Sequence, residues 1–238
     1  QIAGALETIE YAERDTPGHA AFAAYARSLL RPAFEQIGWD AKPAEAPTVR
    51  QLRRVLIGDL GTWGDEAVIA EARRRFSAFV ADHSAIAPDD RGVILSVVAR
   101  HADEPAFEQI HALARETRDA SEVQRFFSAL MEVADPGLAV RAAKIALSGD
   151  IPPQANALPL NLIFELARDH QPLAWATFTA NSEKLLAPEP MFAPLIAAQY
   201  MPQVFWSGVP LAEVETWARA HVPAQMSPVV DRGLGDQS

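Results

Sequence analysis

The chain has 238 residues, 49% of them hydrophobic and 22% charged, with a formal net charge of −10 and no cysteine. This balance fits one large or two small globular domains with a sizeable core. It excludes disulfides and thiolate metal sites, and its acidity argues against a nucleic-acid partner, whose phosphates need clustered Lys and Arg.

Ala and other helix formers dominate, and Val, Ile and Thr never gather into alternating runs, so an all-α fold is expected. No apolar run is long enough for a membrane span. Lack of cysteine is compatible with cytoplasm and with periplasm, so the compartment stays open. Gln1 to Glu13 read as an acidic amphipathic helix, striped by Ile2, Leu6, Ile9 and Tyr11, rather than as a signal peptide. Natural chains begin with Met, so a start at Gln1 within a helical pattern suggests a piece of a longer polypeptide.

A second helix carries Phe22, Tyr25, Leu29, Leu30, Phe34 and Ile37 and stops at Gly38, a C-cap residue. The stretch WDAKPAEAP reads as a surface loop. Leu52 to Phe79 then gives the repeating unit of the chain. Leu52, Val55, Leu56 and Leu60 share one helix face, Gly61 to Gly64 break the pattern, and Val68, Ile69, Ala72, Phe76 and Phe79 form the returning stripe. A single helical hairpin leaves its apolar faces uncovered and needs neighbours of the same kind.

Pro88 opens the next helix, striped by Val93, Ile94, Val97 and Val98, and Asp103 and Pro105 restart the pattern for Phe107, Ile110, Leu113 and Ala114. Ser121 and Gln124 have capping-box spacing before Val123, Phe126, Phe127, Leu130 and Met131. Asp135 and Pro136 supply a cap and first-turn proline for Leu138, Ala142, Ile145 and Ala146. After the loop DIPPQ come Leu158, Leu162, Ile163 and Leu166, and then Pro172 with Leu173, Trp175, Ala176 and Phe178. The last pair spans Met191 to Trp206 and Leu211 to His221.

First helices of successive pairs start roughly 33 to 39 residues apart, the period of helical-hairpin arrays. The expected architecture is a HEAT/armadillo-like superhelix of antiparallel helix pairs, a single domain over residues 1–222. Residues 223–238 are expected to form an irregular tail or the truncated approach to a terminal helix.

Catalytic motifs are absent. No His is followed by Glu, so H-E-x-x-H does not occur, and there is neither a nucleophile elbow nor a phosphate-binding glycine loop. The glycines of GDLGTWGD suit a helix C-cap and turn. The densest polar group is His101, Asp103, Glu104, Glu108 and His111, at a helix-helix turn where charge is normally solvated, and no metal ligands are assigned. Arg73 to Arg75 read as the solvated face of a helix.

Three stretches, LRRVLIGDLGTWGDEAVIAEARRRF, IAPDDRGVILSVVARHADEPAFEQIHALARETRDASEVQRFFSAL and LPLNLIFELARDHQPLAWATFTANSEKL, together resemble the C-terminal helical domain of the aminopeptidase N family of zinc metallopeptidases, to which the endoplasmic reticulum aminopeptidases belong. Their order and intervals match too, and the similarity runs from about Leu6 to about Val222. The resemblance implies a multidomain aminopeptidase whose zinc, held by H-E-x-x-H and a distant Glu, and whose Gly-x-Met-Glu-Asn motif lie upstream of this chain. It implies that this domain is a bowl of HEAT-like helices that closes over the zinc site, limits access to small peptides and in some members contacts the peptide's far end.

By the same resemblance Arg168 falls where some relatives carry a basic residue facing the chamber, which could pair with a peptide carboxylate. A solvated Arg that complements the helix dipole is the competing reading. Pro153 and Ala155 stand where relatives often place Arg and Asp, and the chain stops before the family's usual last helix. The partners implied are the catalytic domain of the same polypeptide and a peptide substrate. From a different class, a free-standing helical scaffold that binds a protein on its concave face also fits the pattern. A relative whose catalytic domain has lost its zinc ligands is a third reading.

Overall fold

The computed structural model describes residues 4–6, 9, 10, 16–205 and 208–235, and these form helices and connecting turns with no strand among them. Of the first stripe, Leu6 is buried and Ile9 exposed, while Ile2 and Tyr11, like Trp206 later, lie outside the described residues. The chain divides into two compact units, residues 1–101 and 102–238.

The first unit contains α1 (His19–Ile37), α2 (Pro47–Thr62), α3 (Glu66–Ala81) and α4 (Pro88–Arg100). Gly38, at φ +66°, ends α1 by donating its N–H to the Phe34 carbonyl at 2.7 Å. The buried face of α1 is Ala23, Ala26, Leu30 and Phe34, whereas Tyr25 and Leu29 face outward. Small alanines let α1 approach α2 closely, so the larger apolar side chains do not mark the core face here.

Helix α2 runs two residues into the Gly61–Gly64 break, ending at Thr62. Gly61 is buried in its last turn, and a Cβ there would collide with Val97 of α4. Only Gly64, at φ +79°, serves as the turn glycine. Asp65 then caps α3 by accepting the Val68 N–H at 3.0 Å, and Arg31 of α1 clamps the same carboxylate at 2.7 and 3.0 Å. Arg53 and Glu45 form a bidentate pair almost out of solvent, and the Arg53 Nε also donates to the Gly38 carbonyl at 2.8 Å. Within the unit α2 packs on α1, α3 and α4, and α3 packs on α4.

The second unit begins with α5 (Glu104–Glu116), α6 (Ala120–Met131), α7 (Pro136–Ala146), α8 (Leu158–Leu166) and α9 (Gln171–Ala180), with a short 3₁₀ turn at Pro153–Ala155. Asp103 and Asp135 cap α5 and α7 as their sequence context predicts. The cap of α6 is Asp119, which accepts from the N–H groups of Ser121 and Glu122; Ser121 donates its hydroxyl to Asp119 and lies inside the first turn. Helix α6 packs on α5, α7 and α8, while α9 packs on α7 and α8, so each helix meets its next and next-but-one neighbour. One device recurs in both units. A His just past a first helix, His101 after α4 and His170 after α8, bonds through Nε2 to a carbonyl at the end of the preceding first helix, Gly61 and Val133, each at 2.7 Å.

The rest of the unit comprises α10 (Ser182–Leu186), α11 (Ala193–Leu195), α12 (Met201–Phe205), α13 (Leu211–His221) and α14 (Ser227–Gly235), with a π turn at Ile196–Tyr200 and a 3₁₀ turn at Ala224–Met226. Pro202 has no N–H for the Ala198 carbonyl four residues back, and the widened π turn is the local response. Trp175, Phe178, Phe205 and Trp217 form one aromatic cluster with centroids 5.0–6.5 Å apart, and the Trp175 indole N–H donates to Glu213 at 2.6 Å. Residues 224–235 pack back through the fully buried Val230, which meets Ala198 and Ala218.

Candidate functional site

Helix α8, LPLNLIFEL, is apolar except for Asn161 and Glu165, which stand four apart and so share a face. Gln124 and Ser128 stand at the same spacing on α6, and the Ser128 hydroxyl hydrogen-bonds to the Glu165 carboxylate. Two polar rows therefore meet between neighbouring helices whose other faces are core. Glu132 extends the α6 row, and Arg168, in the turn after α8, extends the other.

At one end the rows open into a cleft of about 330 Å³. Val123, Leu158 and Pro152 give it apolar walls, and Thr117, Arg118, Gln124, Gln154, Asn156 and Asn161 give it polar ones. Arg118 is its sole ionisable lining residue. At the other end Glu165 is half buried, and burial pushes its carboxyl above the ordinary value of 4.5. Ser128 partly offsets that shift, the Glu132 charge adds to it and the Arg168 charge opposes it. Arg168 is exposed, and its backbone N–H closes the turn on the Glu165 carbonyl at 3.1 Å.

The polar group around His101 disperses. His101 bonds to Gly61, Asp103 caps α5, Glu104 and Glu108 both pair with Arg141, and His111 pairs with Asp150 at 2.9 Å. Among the described residues no group of three or more His, Asp and Glu could hold a metal ion. The arginine run is engaged as well. Arg74 and Arg75 hold the Glu71 carboxyl down to about 2, Arg75 also pairs with Asp40, and Arg73 donates to the His101 carbonyl. No helix among the described residues is long and apolar enough to cross a membrane.

Pro153 and Ala155 fall in the 3₁₀ turn beside the cleft, where Ala155 is one of the lining residues. The polar set of the cleft escapes a motif search because it comes from two helices and two loops. The isolated Asn161 and Glu165 in an otherwise apolar helix are the signal that could have revealed it.

These features define an all-α protein of packed helical hairpins with a polar cleft between two of its first helices. The chain belongs to the ERAP1-like C-terminal domain family, whose model matches residues 1–236. It is similar to Aminopeptidase M1-A of Oryza sativa subsp. japonica, 32% identical over 128 residues, which is 52% of this chain and 15% of that protein. Aminopeptidase M1 of Arabidopsis thaliana is 29% identical over 124 residues, 50% of this chain and 14% of that protein. Aminopeptidase M1-D of Oryza sativa subsp. japonica is 25% identical over 161 residues, 66% of this chain and 18% of that protein. The chain thus spans less than a fifth of the length of these curated relatives.

Proposed function

We propose that this chain is the C-terminal domain of a zinc-dependent aminopeptidase, a peptidase that releases N-terminal amino acids, and that it encloses the active-site chamber without supplying a chemical step. The observation that carries the reading is the family match over residues 1–236, together with relatives named as aminopeptidases that are several times longer. The zinc, its ligands and the group that holds the substrate's free amine would all belong to an upstream catalytic domain of the same polypeptide. The lack of H-E-x-x-H in this chain is consistent with that division. In this reading the hairpins form a HEAT-like bowl, and Arg168, exposed at the end of the α8 polar row, pairs with a carboxylate of the peptide.

The test is the intact mass and peptide map of the native protein, captured with an antibody against this domain, with hydrolysis of leucine p-nitroanilide measured on the same preparation. A chain several times heavier than this one, carrying an H-E-x-x-H peptide upstream of Gln1 and losing activity to a chelator, is expected. The 238-residue chain alone should release no amino acid. A native polypeptide of about this size, or hydrolysis by this chain alone, would overturn the proposal and favour a free-standing helical scaffold.

A further inference from the structure

We propose that a second cleft, formed by the end of α9, by α10 and by the end of α13, binds a neutral polyhydroxylated ligand, a sugar or a sugar-like polyol. All of its lining residues belong to the second unit. Its volume of about 440 Å³ lies inside the range of small-molecule pockets, about 300–1,000 Å³. Four of its polar side chains are each anchored to one backbone carbonyl. Thr179 donates to Trp175 at 2.9 Å, Asn181 to Thr177 at 2.8 Å, Lys184 to Leu147 at 2.9 Å and His221, through Nδ1, to Trp217 at 2.7 Å. Each anchored group keeps a further polar function. Thr179 keeps its lone pairs, Asn181 its amide oxygen, Lys184 two N–H donors, and the neutral His221 ring a bare Nε2 that accepts.

Ser182 shows that this lining serves more than the fold. It is only 7% exposed and lines the cleft, yet its hydroxyl makes no hydrogen bond among the described residues. Buried polar groups are nearly always bonded, so this hydroxyl fits a partner from outside the chain. The neighbouring Glu183 carboxylate, also on the cleft, has no ion pair or hydrogen bond among the described residues.

Charge and polarity narrow the ligand class. An anion in the cleft meets Glu183 and a cation meets Lys184, and the two formal charges cancel. Consecutive helix residues point about 100° apart, so these two charges diverge and do not converge on the adjacent amino and acid groups of a compact zwitterion. Hydroxyl groups both donate and accept. They can donate to Glu183, Thr179, Asn181 and His221 and accept from Lys184 and Ser182, so one kind of ligand group serves the whole lining. Ala180 is the sole apolar lining residue, which leaves little for an apolar ligand to cover. The His221 ring is stacked on Trp217 with centroids 4.0 Å apart, and this holds its flat face in place at the cleft. The inference stands independently of the aminopeptidase reading.

Saturation-transfer NMR titration of the full polypeptide that carries this domain is the test. The probes are methyl α-D-glucopyranoside, methyl α-D-galactopyranoside and maltose, and the competitors are inorganic phosphate, putrescine and taurine, an anion, a cation and a zwitterion. At least one sugar should bind, and Glu183→Gln should weaken it about tenfold or more. Ser182→Ala should also weaken binding while leaving the urea midpoint unchanged or higher, because the hydroxyl it removes stabilises nothing in the fold. That split separates a ligand contact from a structural role. No transfer to any of the three sugars, or binding unaffected by both substitutions, would overturn the proposal. Displacement of a bound sugar by phosphate, putrescine or taurine at a concentration below its own would also overturn it, in favour of a charged ligand.

Discussion

The Ser128 hydroxyl and the Glu165 carboxylate are joined across the interface of α6 and α8, and that bond satisfies only part of the carboxylate. Its second oxygen, Oε2, is buried without a hydrogen-bond partner among the described residues. A carboxylate held this way is costly when ionised, because water is excluded from one oxygen and Glu132 adds a like charge. The polar row that runs from the cleft toward Arg168 is thus a place where the fold gives up stability to keep charged and hydrogen-bonding groups between packed helices.

A pH dependence follows, with a definite sign. The folded-state pKa of Glu165 lies above its ordinary 4.5. Its contribution to stability is therefore full below 4.5 and is lost as pH rises through the folded value. Glu165→Gln keeps the shape and the bond to Ser128 without the charge. The variant should match or exceed the parent in urea midpoint at pH 7.5, with the gap closing toward pH 4.5. A gap that stays constant across this range would show that the side chain does not titrate as described.

His101 titrates in the opposite sense. Burial lowers its pKa below 6.5, and the nearby Arg100 and Arg73 charges add to that effect, while its bond to the Gly61 carbonyl opposes it. The folded state binds the neutral ring, so this stability is present above pH 6.5 and is lost as pH falls through the folded value. Since a carbonyl only accepts, Nε2 carries the proton. Nitrogen-detected NMR should find His101 as the Nε2–H tautomer at neutral pH with a midpoint below 6.5. A midpoint above 6.5 contradicts the buried placement.

Helix positions were legible wherever a cap and an apolar stripe agreed. Asp135 and Pro136 ahead of α7, Pro88 at the start of α4, and Val68, Ala72, Phe76 and Phe79 along α3 are found as their spacing predicts. The face of α1 was misread because its contact surface is built from Ala23 and Ala26, whose small side chains carry little pattern. Ser121 has the spacing of a capping residue, but Asp119, two positions earlier, takes the bonds; a carboxylate outcompetes a hydroxyl for the free N–H groups. The helical residues 227–235 were hidden because Gly233 and Gly235 weaken the local pattern. The cleft depends on which helices become neighbours, and periodicity within one helix carries no record of that.

Gly61 is fixed by close approach rather than by turn geometry. A methyl at this position collides with the Val97 side chain of α4, so Gly61→Ala should destabilise the protein by about 1–3 kcal/mol despite the higher helix propensity of Ala. Val97→Ala vacates the contested space. In a double-mutant cycle by urea denaturation, Gly61→Ala should cost much less in the Val97→Ala background than alone. Additive costs would mean that the two residues are not in contact.

Gly233 secures the last helix to the π turn. A Cβ on Gly233 would lie 2.8 Å from the Ala198 carbonyl oxygen and 3.4 Å from the Gln199 Cα. That oxygen is backbone, held by a turn that Pro202 has already displaced from regular helix, so it has little freedom to move aside. Gly233→Ala should therefore release α14 locally, and Val230 with it, while the packing of α6 on α8 stays intact. Hydrogen exchange provides the measurement: amides of residues 227–235 should exchange about tenfold or more faster in the variant, with protection in α6 and α8 unchanged. Uniform loss of protection would instead place α14 in the same cooperative unit as α6 and α8, and unchanged exchange would mean that α14 does not pack on the π turn through Gly233.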